Sequence, residues 1–180
     1  FTVAEGASLT LGDSNADGEL IIDGNETLTT TTQSLISVLG TLVLNEKSTL
    51  QNNKCKEGYA TNGAAVYSDG GTVKILGGTV KNNSNSYKNN TGGAIYIKNG
   101  TFEMTAGIVS NNSSYSSGGA IYVDGINAKI IGSEFDECSA KQQGGSIFIK
   151  GANTNITGSN FTKSYISADT SSARGGAIYV

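Results

Sequence analysis

Apolar and polar residues alternate in short runs along most of the chain, and the runs recur. Ile95 and Ile97 fall on one face of a strand and Tyr96 and Lys98 on the other, because successive side chains of a strand point to opposite faces. The same two-residue period returns at 101–105. No 3.6-residue apolar period is present, so helical solenoids are excluded. The pattern predicts an all-β chain built from short strands.

Two sequence blocks recur along the chain. The first block, Gly-Gly-Ala-Ile-Tyr-Ile at 92–97, has further copies that begin at Asn62, Gly118, Gly144 and Gly175. The second block reads apolar-x-x-Asn, and its copies begin at Leu50, Val80, Val109, Phe135 and Phe161. The distance from first to second block is 17 or 18 residues, whereas the distance onward to the next first block varies from 9 to 14. One half of each period is therefore stacked in register, and the other half contains a variable loop.

A period of 26–31 residues, with three short strands and Gly or Asn corners, predicts a right-handed parallel β-helix of about six coils. Glycine supplies the positive φ that corners need, and stacked Asn side chains hydrogen-bond along a column. We expect residues 1–46 to form irregular, acidic N-terminal coils. Residues 47–180 are expected to form the regular repeats of one continuous solenoid, itself a fragment of a longer one.

Composition and charge narrow the function. Gly, Asn, Ser and Thr supply 83 of the 180 residues, but a hydrophobic content of 37% is high for a disordered tract. The chain has no His, which excludes His-based triads, His metal sites and His pH switches. A net charge of −3 argues against nucleic-acid binding, and no apolar run is long enough for a transmembrane segment. Residues 1–46 carry seven acids and no bases, whereas the remainder carries a net charge of +4.

Equivalent residues on successive coils stack into columns. An outward aromatic column comprises Tyr67, Tyr96, Tyr122, Phe148 and Tyr179. These rings either shield the sheet by packing or form a flat strip that docks a sugar or a partner chain. A second outward column comprises Asp69, Lys98, Asp124 and Lys150, whose alternating signs favour a structural role in fixing register.

The variable loops are the best candidates for recognition. They span 54–61, 84–91, 113–117, 139–143 and 165–174, and they contain Tyr59, Tyr87, Tyr115 and Tyr165. Tyrosine, serine and asparagine on loops held by a rigid stack suit adaptable binding surfaces. We therefore predict ligand contacts at these four tyrosines and at Tyr67, Tyr96 and Tyr122. The alternative is that the polar loops are simply solvated.

One segment resembles the start of a Ca²⁺-binding loop. Asp13, Asn15 and Asp17, followed by Gly18, match the spacing D-x-[DN]-x-[DN]-G, so their oxygens could hold a Ca²⁺ ion. The twelfth position is Gly24 instead of the usual Glu, and a plain Asx turn is the alternative. The two cysteines, Cys55 and Cys138, fall about 14 Å apart on the predicted coils, too far for a disulfide.

Catalytic residues are not predicted. Glu134, Asp136 and Glu137 form the densest acidic group, but they have no equivalents on adjacent coils. Opposed carboxylates at glycosidase spacing cannot be assembled from them. The sequence therefore favours a non-enzymatic protein.

The paired blocks resemble the GGA[ILV] and FxxN repeats of chlamydial polymorphic outer-membrane proteins and of similar autotransporter-type surface proteins. GGA stands intact at Gly92, Gly118 and Gly175, becomes GGS at Gly144, and becomes NGAA at Asn62. In the second block Phe135 and Phe161 keep the Phe and lose the Asn, whereas the other three copies keep the Asn. The resemblance implies an extracellular, outer-membrane-associated passenger segment with adhesive roles, and it identifies no binding residue.

The sequence therefore predicts an adhesin-like β-helix that presents variable loops to a host-cell, glycan or protein partner, or to a second copy of itself. A structural stalk, spacer, filament or envelope component is the alternative. A polysaccharide lyase or hydrolase is the third hypothesis.

Overall fold

The strands follow one another in repeated turns. A computed structural model describes residues 1–25, 32–55, 62–151, 153–167 and 173–180, and within these ranges the chain forms strands and no helix. The first turn comprises β1 (Thr2–Val3), β2 (Ser8–Leu11) and β3 (Leu20–Asp23). The second comprises β4 (Ile36–Val38), β5 (Thr41–Asn45), β6 (Ser48–Gln51) and β7 (Lys54–Cys55). The third comprises β8 (Val66–Asp69), β9 (Thr72–Leu76), β10 (Thr79–Lys81) and β11 (Ser84–Asn85). The fourth comprises β12 (Ile95–Lys98), β13 (Thr101–Thr105), β14 (Ile108–Ser110) and β15 (Ser113–Ser114).

The last turns repeat the same order. The fifth turn comprises β16 (Ile121–Asp124), β17 (Asn127–Ile131), β18 (Glu134–Asp136) and β19 (Ser139–Ala140). The sixth comprises β20 (Ile147–Ile149), β21 (Asn153–Thr157), β22 (Asn160–Thr162) and β23 (Tyr165–Ile166), and β24 (Ile178–Tyr179) begins another. Five turns thus carry all four strands.

Equivalent strands of successive turns build four parallel sheets. The first sheet has the order β1-β4-β8-β12-β16-β20-β24 and the second the order β2-β5-β9-β13-β17-β21. The third runs β3-β6-β10-β14-β18-β22 and the fourth β7-β11-β15-β19-β23. The predicted all-β parallel solenoid is confirmed. The division of the chain at residue 46 stays a prediction.

The register joins each residue to its equivalent one turn later. Along the first sheet the paired positions are Ile36, Val66, Ile95, Ile121, Ile147 and Ile178. The differences between these numbers are 30, 29, 26, 26 and 31 residues. The blocks recognised in the sequence are therefore structural equivalents, and the length differences are absorbed outside the paired strands.

The core lies inside the coil and is lined by one face of each strand. Val66, Ile95, Ile121 and Ile147 are fully buried in the first sheet, as the alternation predicted. Phe102 and Met104 fill the interior from the second sheet, and Val80, Val109 and Phe135 fill it from the third. Each such side chain contributes about 1.5–3 kcal/mol on burial, so the inward columns are the main source of stability.

The Gly-Gly-Ala corner differs from the sequence prediction. The alternation that places Tyr96 on the outer face predicts the same face for Ala94, two residues earlier, but Ala94 is fully buried, as are Ala65 and Ala120. The chain bends inward here because Gly92 adopts a φ of +63°. A Cβ at Gly93 would overlap the carbonyl oxygen of Gly119 in the next coil, so this corner requires glycine.

The second block forms the corner between the third and fourth sheets. Its third residue adopts positive φ in every copy, at Asn52, Asn82, Asn111, Glu137 and Lys163. Its fourth residue turns inward, which buries Asn53, Asn83 and Asn112 and, in the next coil, Cys138. The Asn53 N–H donates to Oδ1 of Asn83 at 3.1 Å, and Nδ2 of Asn112 donates to the Val80 carbonyl at 2.9 Å. Both Cys138 and Cys55 are buried free thiols.

The fourth sheet was missed by the sequence prediction of three strands per coil. Each of its strands has two residues and opens one of the segments assigned to a loop, as Ser113–Ser114 does. A strand of two residues is too short to show an alternating period, and Ser84–Asn85 and Ser113–Ser114 are polar at both positions.

Candidate functional site

The predicted aromatic column is a continuous ladder on the outer face of the first sheet. Ring centroids lie 5.7 Å apart for Tyr67–Tyr96, 5.2 Å for Tyr96–Tyr122, 4.6 Å for Tyr122–Phe148 and 5.1 Å for Phe148–Tyr179. The ring planes are within 5–21° of parallel. Burial, with the nearby charge of Asp124, raises the pKa of Tyr122 to about 12. The rings therefore cover one another's faces along the axis, and inner members such as Tyr96 turn only edges outward.

Ion pairs link adjacent coils beside this ladder. Lys98 contacts Asp69 at 2.8 Å, and Lys150 contacts Asp124 at 3.4 Å. The hydrogen bond from Lys98 lowers the pKa of the Asp69 carboxyl. Pairs this exposed are worth about 0–1 kcal/mol each, which suits the structural role predicted for the column.

A shallow trough runs along the outer face of the fourth sheet; we call it the serine trough. Its floor is a column of short side chains, Ser84, Ser113 and Ser139, paired in register on β11, β15 and β19. One rim is the corner row of Asn82, Asn111, Glu137 and Lys163. The other rim is the row of Ser86, Tyr115, Lys141 and Ser167. Three contiguous depressions line this face, with volumes of about 460, 340 and 280 Å³.

Larger side chains close the trough at both ends. Lys54 precedes Ser84 in the same column, and Tyr165 follows Ser139. Four steps of one coil separate Lys54 from Tyr165, which makes the trough about 19 Å long. Tyr165 is 53% exposed.

The hydroxyl groups of the floor are available for hydrogen bonding to a ligand. Within the described part of the chain, the side chains of Ser84, Ser113 and Ser139 make no hydrogen bond. Serines elsewhere in the coil behave differently: Ser34 donates to the Gly63 carbonyl at 2.6 Å, and Ser114 donates to the Asn90 carbonyl at 3.1 Å. The floor therefore presents three donor–acceptor groups to solvent.

The rims carry charges that are partly compensated. Lys163 contacts Glu137 at 2.7 Å across adjacent coils, and this bond raises the pKa of Lys163. The ammonium group of Lys141 lies 3.9 Å from the centroid of the Tyr115 ring, a cation–π contact. The floor thus lies between a neutralised pair and a cation held over an aromatic ring.

The predicted tyrosines fall in different places. The structure brings Tyr115 and Tyr165 to the serine trough and places Tyr67, Tyr96 and Tyr122 in the ladder on the first sheet. Tyr87 is half-buried in the segment after β11, where its carbonyl accepts the Asn90 N–H at 2.9 Å. Tyr59 lies outside the described residues. Ligand contacts at all seven stay a prediction.

The floor serines were missed from the sequence, although a signal was present. Each floor or end position follows the first residue of the second block by four residues, as Ser84 follows Val80 and Tyr165 follows Phe161. Aligning the residues at this offset gives the column Lys54, Ser84, Ser113, Ser139 and Tyr165, which is the floor of the trough with its two ends.

The predicted Ca²⁺ segment forms a turn. The main-chain N–H and the side-chain amide of Asn15 both donate to Oδ1 of Asp13, at 2.9 and 3.2 Å, which is an Asx turn. Among the described residues, no three acidic, His or Cys side chains converge on a point that could hold a metal ion. Calcium binding by Asp13, Asn15 and Asp17 stays a prediction.

The acidic group at the third-sheet corner is engaged in hydrogen bonds and an ion pair. Oδ1 of Asp136 accepts from the Thr162 hydroxyl at 2.7 Å, and Glu137 is paired with Lys163. These contacts join neighbouring coils and give the two carboxylates a structural role.

Comparison with known proteins identifies one segment of the chain. Residues 107–124 match the family model of the Chlamydia polymorphic membrane protein repeat, which confirms the resemblance for that segment. No curated protein and no solved structure matches the chain. The matched segment holds β14, β15 and the start of the next coil, and it includes Ser113 and Tyr115 of the trough and Tyr122 of the ladder. The described residues contain no helix that could cross a membrane.

Proposed function

We propose that the chain is a non-enzymatic, adhesin-like passenger segment at the cell surface, outside the outer membrane, and that it binds a partner through the serine trough. The observation that carries this proposal is that the matched repeat contributes one coil of the trough. Residues 107–124 contribute a floor serine, Ser113, and a rim aromatic, Tyr115, beside the variable segment. A rigid stack that holds exposed, uncommitted polar groups is suited to recognition.

Charge and geometry support binding more than catalysis. Opposed acid and base groups drive glycoside cleavage, and the carboxylates beside the trough are instead bound to Lys163 or to the Thr162 hydroxyl. The wild-type chain is therefore expected to bind polysaccharide without shortening it, which size-exclusion chromatography of the incubated polymer measures.

Cell binding tests the proposal directly. The fluorescently labelled chain is incubated with cultured mammalian cells, and bound protein is measured by flow cytometry. We expect saturable binding that Tyr115→Ala weakens at least several-fold, because this change removes a rim aromatic and the ring beneath Lys141. Ile126→Ala, which shortens an exposed side chain between the first and second sheets and away from the trough, is the control and should bind as the parent does. Binding that is absent, or unaffected by Tyr115→Ala, would contradict the proposal.

A structural spacer is the second candidate function. It is supported by the continuous pairing of all four sheets through five turns. A spacer is expected to assemble end to end and to bind no ligand. An increase of the scattered light with protein concentration, in a chain that does not bind cells, would favour this function.

A further inference from the structure

The chemistry of the serine trough suggests which class of ligand it takes. Its three floor hydroxyls stand in register, one coil apart, a repeat of about 4.8 Å. This repeat is close to the length of one sugar unit in an extended, linear polysaccharide. Each hydroxyl can donate and accept, which matches the hydroxyl groups of a sugar chain one for one.

Tyr165 supplies the apolar contact that sugar binding uses. Tyr165 stands at the end of the floor column, and the residue is more than half exposed. Among the described residues, no other ring stacks on it, whereas the inner ladder rings are covered on both faces. A sugar ring that leaves the floor can therefore lie against a face of Tyr165.

The main chain of the fourth sheet cannot recruit a peptide strand on this face. The N–H groups of Ser113, Ser139 and Tyr165 donate to Asn83, Asn112 and Cys138 of the preceding coil, at 3.0, 3.0 and 3.1 Å. Strand addition requires free main-chain groups at a sheet edge. Recognition in the trough therefore falls to side-chain hydroxyls, which favours a ligand rich in hydroxyl groups.

The charge of the rims admits acidic sugars. Glu137 is neutralised by Lys163, and Lys141 stands beside the floor serine Ser139. A carboxylate or sulfate on the ligand would lie near the Lys141 cation without facing an uncompensated acid among the described trough residues.

We infer that the serine trough is a binding site for a linear oligosaccharide, with its hydroxyls on Ser84, Ser113 and Ser139 and one ring against Tyr165. This inference deepens the proposed function and rests on it for the biological setting.

Isothermal titration with two defined oligosaccharides tests the inference. The full chain is titrated with a hyaluronan hexasaccharide, which is acidic, and with chitohexaose, which is neutral. We expect binding of at least one. Ser113→Ala with Ser139→Ala should weaken it roughly tenfold, because the double variant removes two hydrogen bonds and each contributes a few-fold to the affinity. Tyr165→Ala should weaken it and Tyr165→Phe should retain it. Lys141→Gln should weaken only the acidic ligand.

Matched controls keep the outcome interpretable. Ser110→Ala removes a hydroxyl from the outer face of the third sheet and should leave the affinity unchanged, and thermal melting confirms that every variant folds. Binding of neither oligosaccharide, or binding that the double serine variant leaves intact, would overturn the inference. If cell binding depends on Tyr115 while both oligosaccharides fail, the inference falls and the proposed function stands. If an oligosaccharide binds and cells do not, the inference stands and the proposed function falls.

Discussion

The main-chain N–H of Asn83 donates to Oδ1 of Asn112, 2.9 Å away in the next coil, and the Asn83 amide donates to the same oxygen at 3.2 Å. The same Asn83 amide also reaches the carbonyl oxygens of Leu50 and Lys81. Both asparagines are fully buried. The Asn83 side chain thus pairs polar groups of three successive coils at a corner where the hydrogen bonds between strands are interrupted.

Asn83→Ala should destabilise the fold. The change leaves the buried Asn53 N–H without its acceptor, and an unpaired buried group costs about 1–3 kcal/mol. We expect a loss of about 2–3 kcal/mol in the free energy of unfolding, measured by urea denaturation. Asn89→Ala, at an exposed loop position, is the matched control and should lie within about 0.5 kcal/mol of the parent. Equal stability of the two variants would refute the stabilising role of the buried asparagine column.

Two opposite substitutions test the corner between the second and third sheets. This corner is glycine with positive φ at Gly77, Gly132 and Gly158, but Ala106 occupies it with a φ of +55°. Ala106→Gly should therefore raise the free energy of unfolding by about 0.5–1 kcal/mol. Gly132→Ala should lower it by about 1 kcal/mol through φ strain alone, because a Cβ there has no atom within 4 Å. Changes of the same sign in both variants would contradict this.

The buried thiols should make stability depend on alkaline pH. Burial raises the pKa of Cys55 and of Cys138 to about 11 from an ordinary 9.0. Above pH 9 the unfolded chain releases these protons first, so the free energy of unfolding falls between pH 9 and pH 11. The loss is at most about 3 kcal/mol for each thiol. Cys138→Ala should remove about half of the fall in that window, because Cys55 still titrates there, and should leave the pH dependence below pH 8 unchanged, as followed by denaturation at each pH.

Reactivity offers a second measurement on the same thiols. A disulfide-exchange reagent at pH 8 should label neither cysteine in the folded chain and both after unfolding, because only an accessible thiolate reacts. Rapid labelling of the native protein would show that the thiols are accessible to solvent.

The aromatic ladder should behave as a packing element. Tyr96 stacks on rings at both faces, and each stack is worth about 0.5–1.5 kcal/mol beyond area burial. Tyr96→Ala should lower the free energy of unfolding by about 2–4 kcal/mol, whereas Tyr96→Phe should change it by less than about 0.5 kcal/mol. Phe148 already occupies one ladder position, which shows that the hydroxyl is not required for stacking. A large loss in Tyr96→Phe would point to a polar role.

The ladder and the core columns could be predicted because strict alternation and block spacing fix their register. Tyr96 above Tyr67 and Ile95 above Val66 follow from counting residues, and both pairings are present. The fourth sheet could not be predicted in this way. Its strands have only two residues, and Ser84–Asn85 and Ser113–Ser114 have no apolar contrast, so the pattern does not separate them from a loop.

The corners show a second limit of sequence reasoning. Asparagine at positions 52, 82 and 111 is typical of positive φ, whereas Glu137 and Lys163 adopt it only because their coils stack on those below. Their ion pair, and the trough rim that it forms, depended on that register and had no local signal. The candidate site was therefore found only once the coils were in place.

The regular register also has an evolutionary consequence. Ile121 pairs with Ile147, 26 residues later, and side-chain bonds such as Lys129–Glu103 and Lys163–Glu137 connect one coil only to its neighbour. Excising residues 121–146 would join Ala120 to Ile147, so the stack would close on equivalent strands. Length in such a chain changes in whole-coil increments by duplication or deletion. The stretches between the fourth sheet and each glycine corner, such as 86–91, differ in length between coils and can diversify without disturbing that copy number.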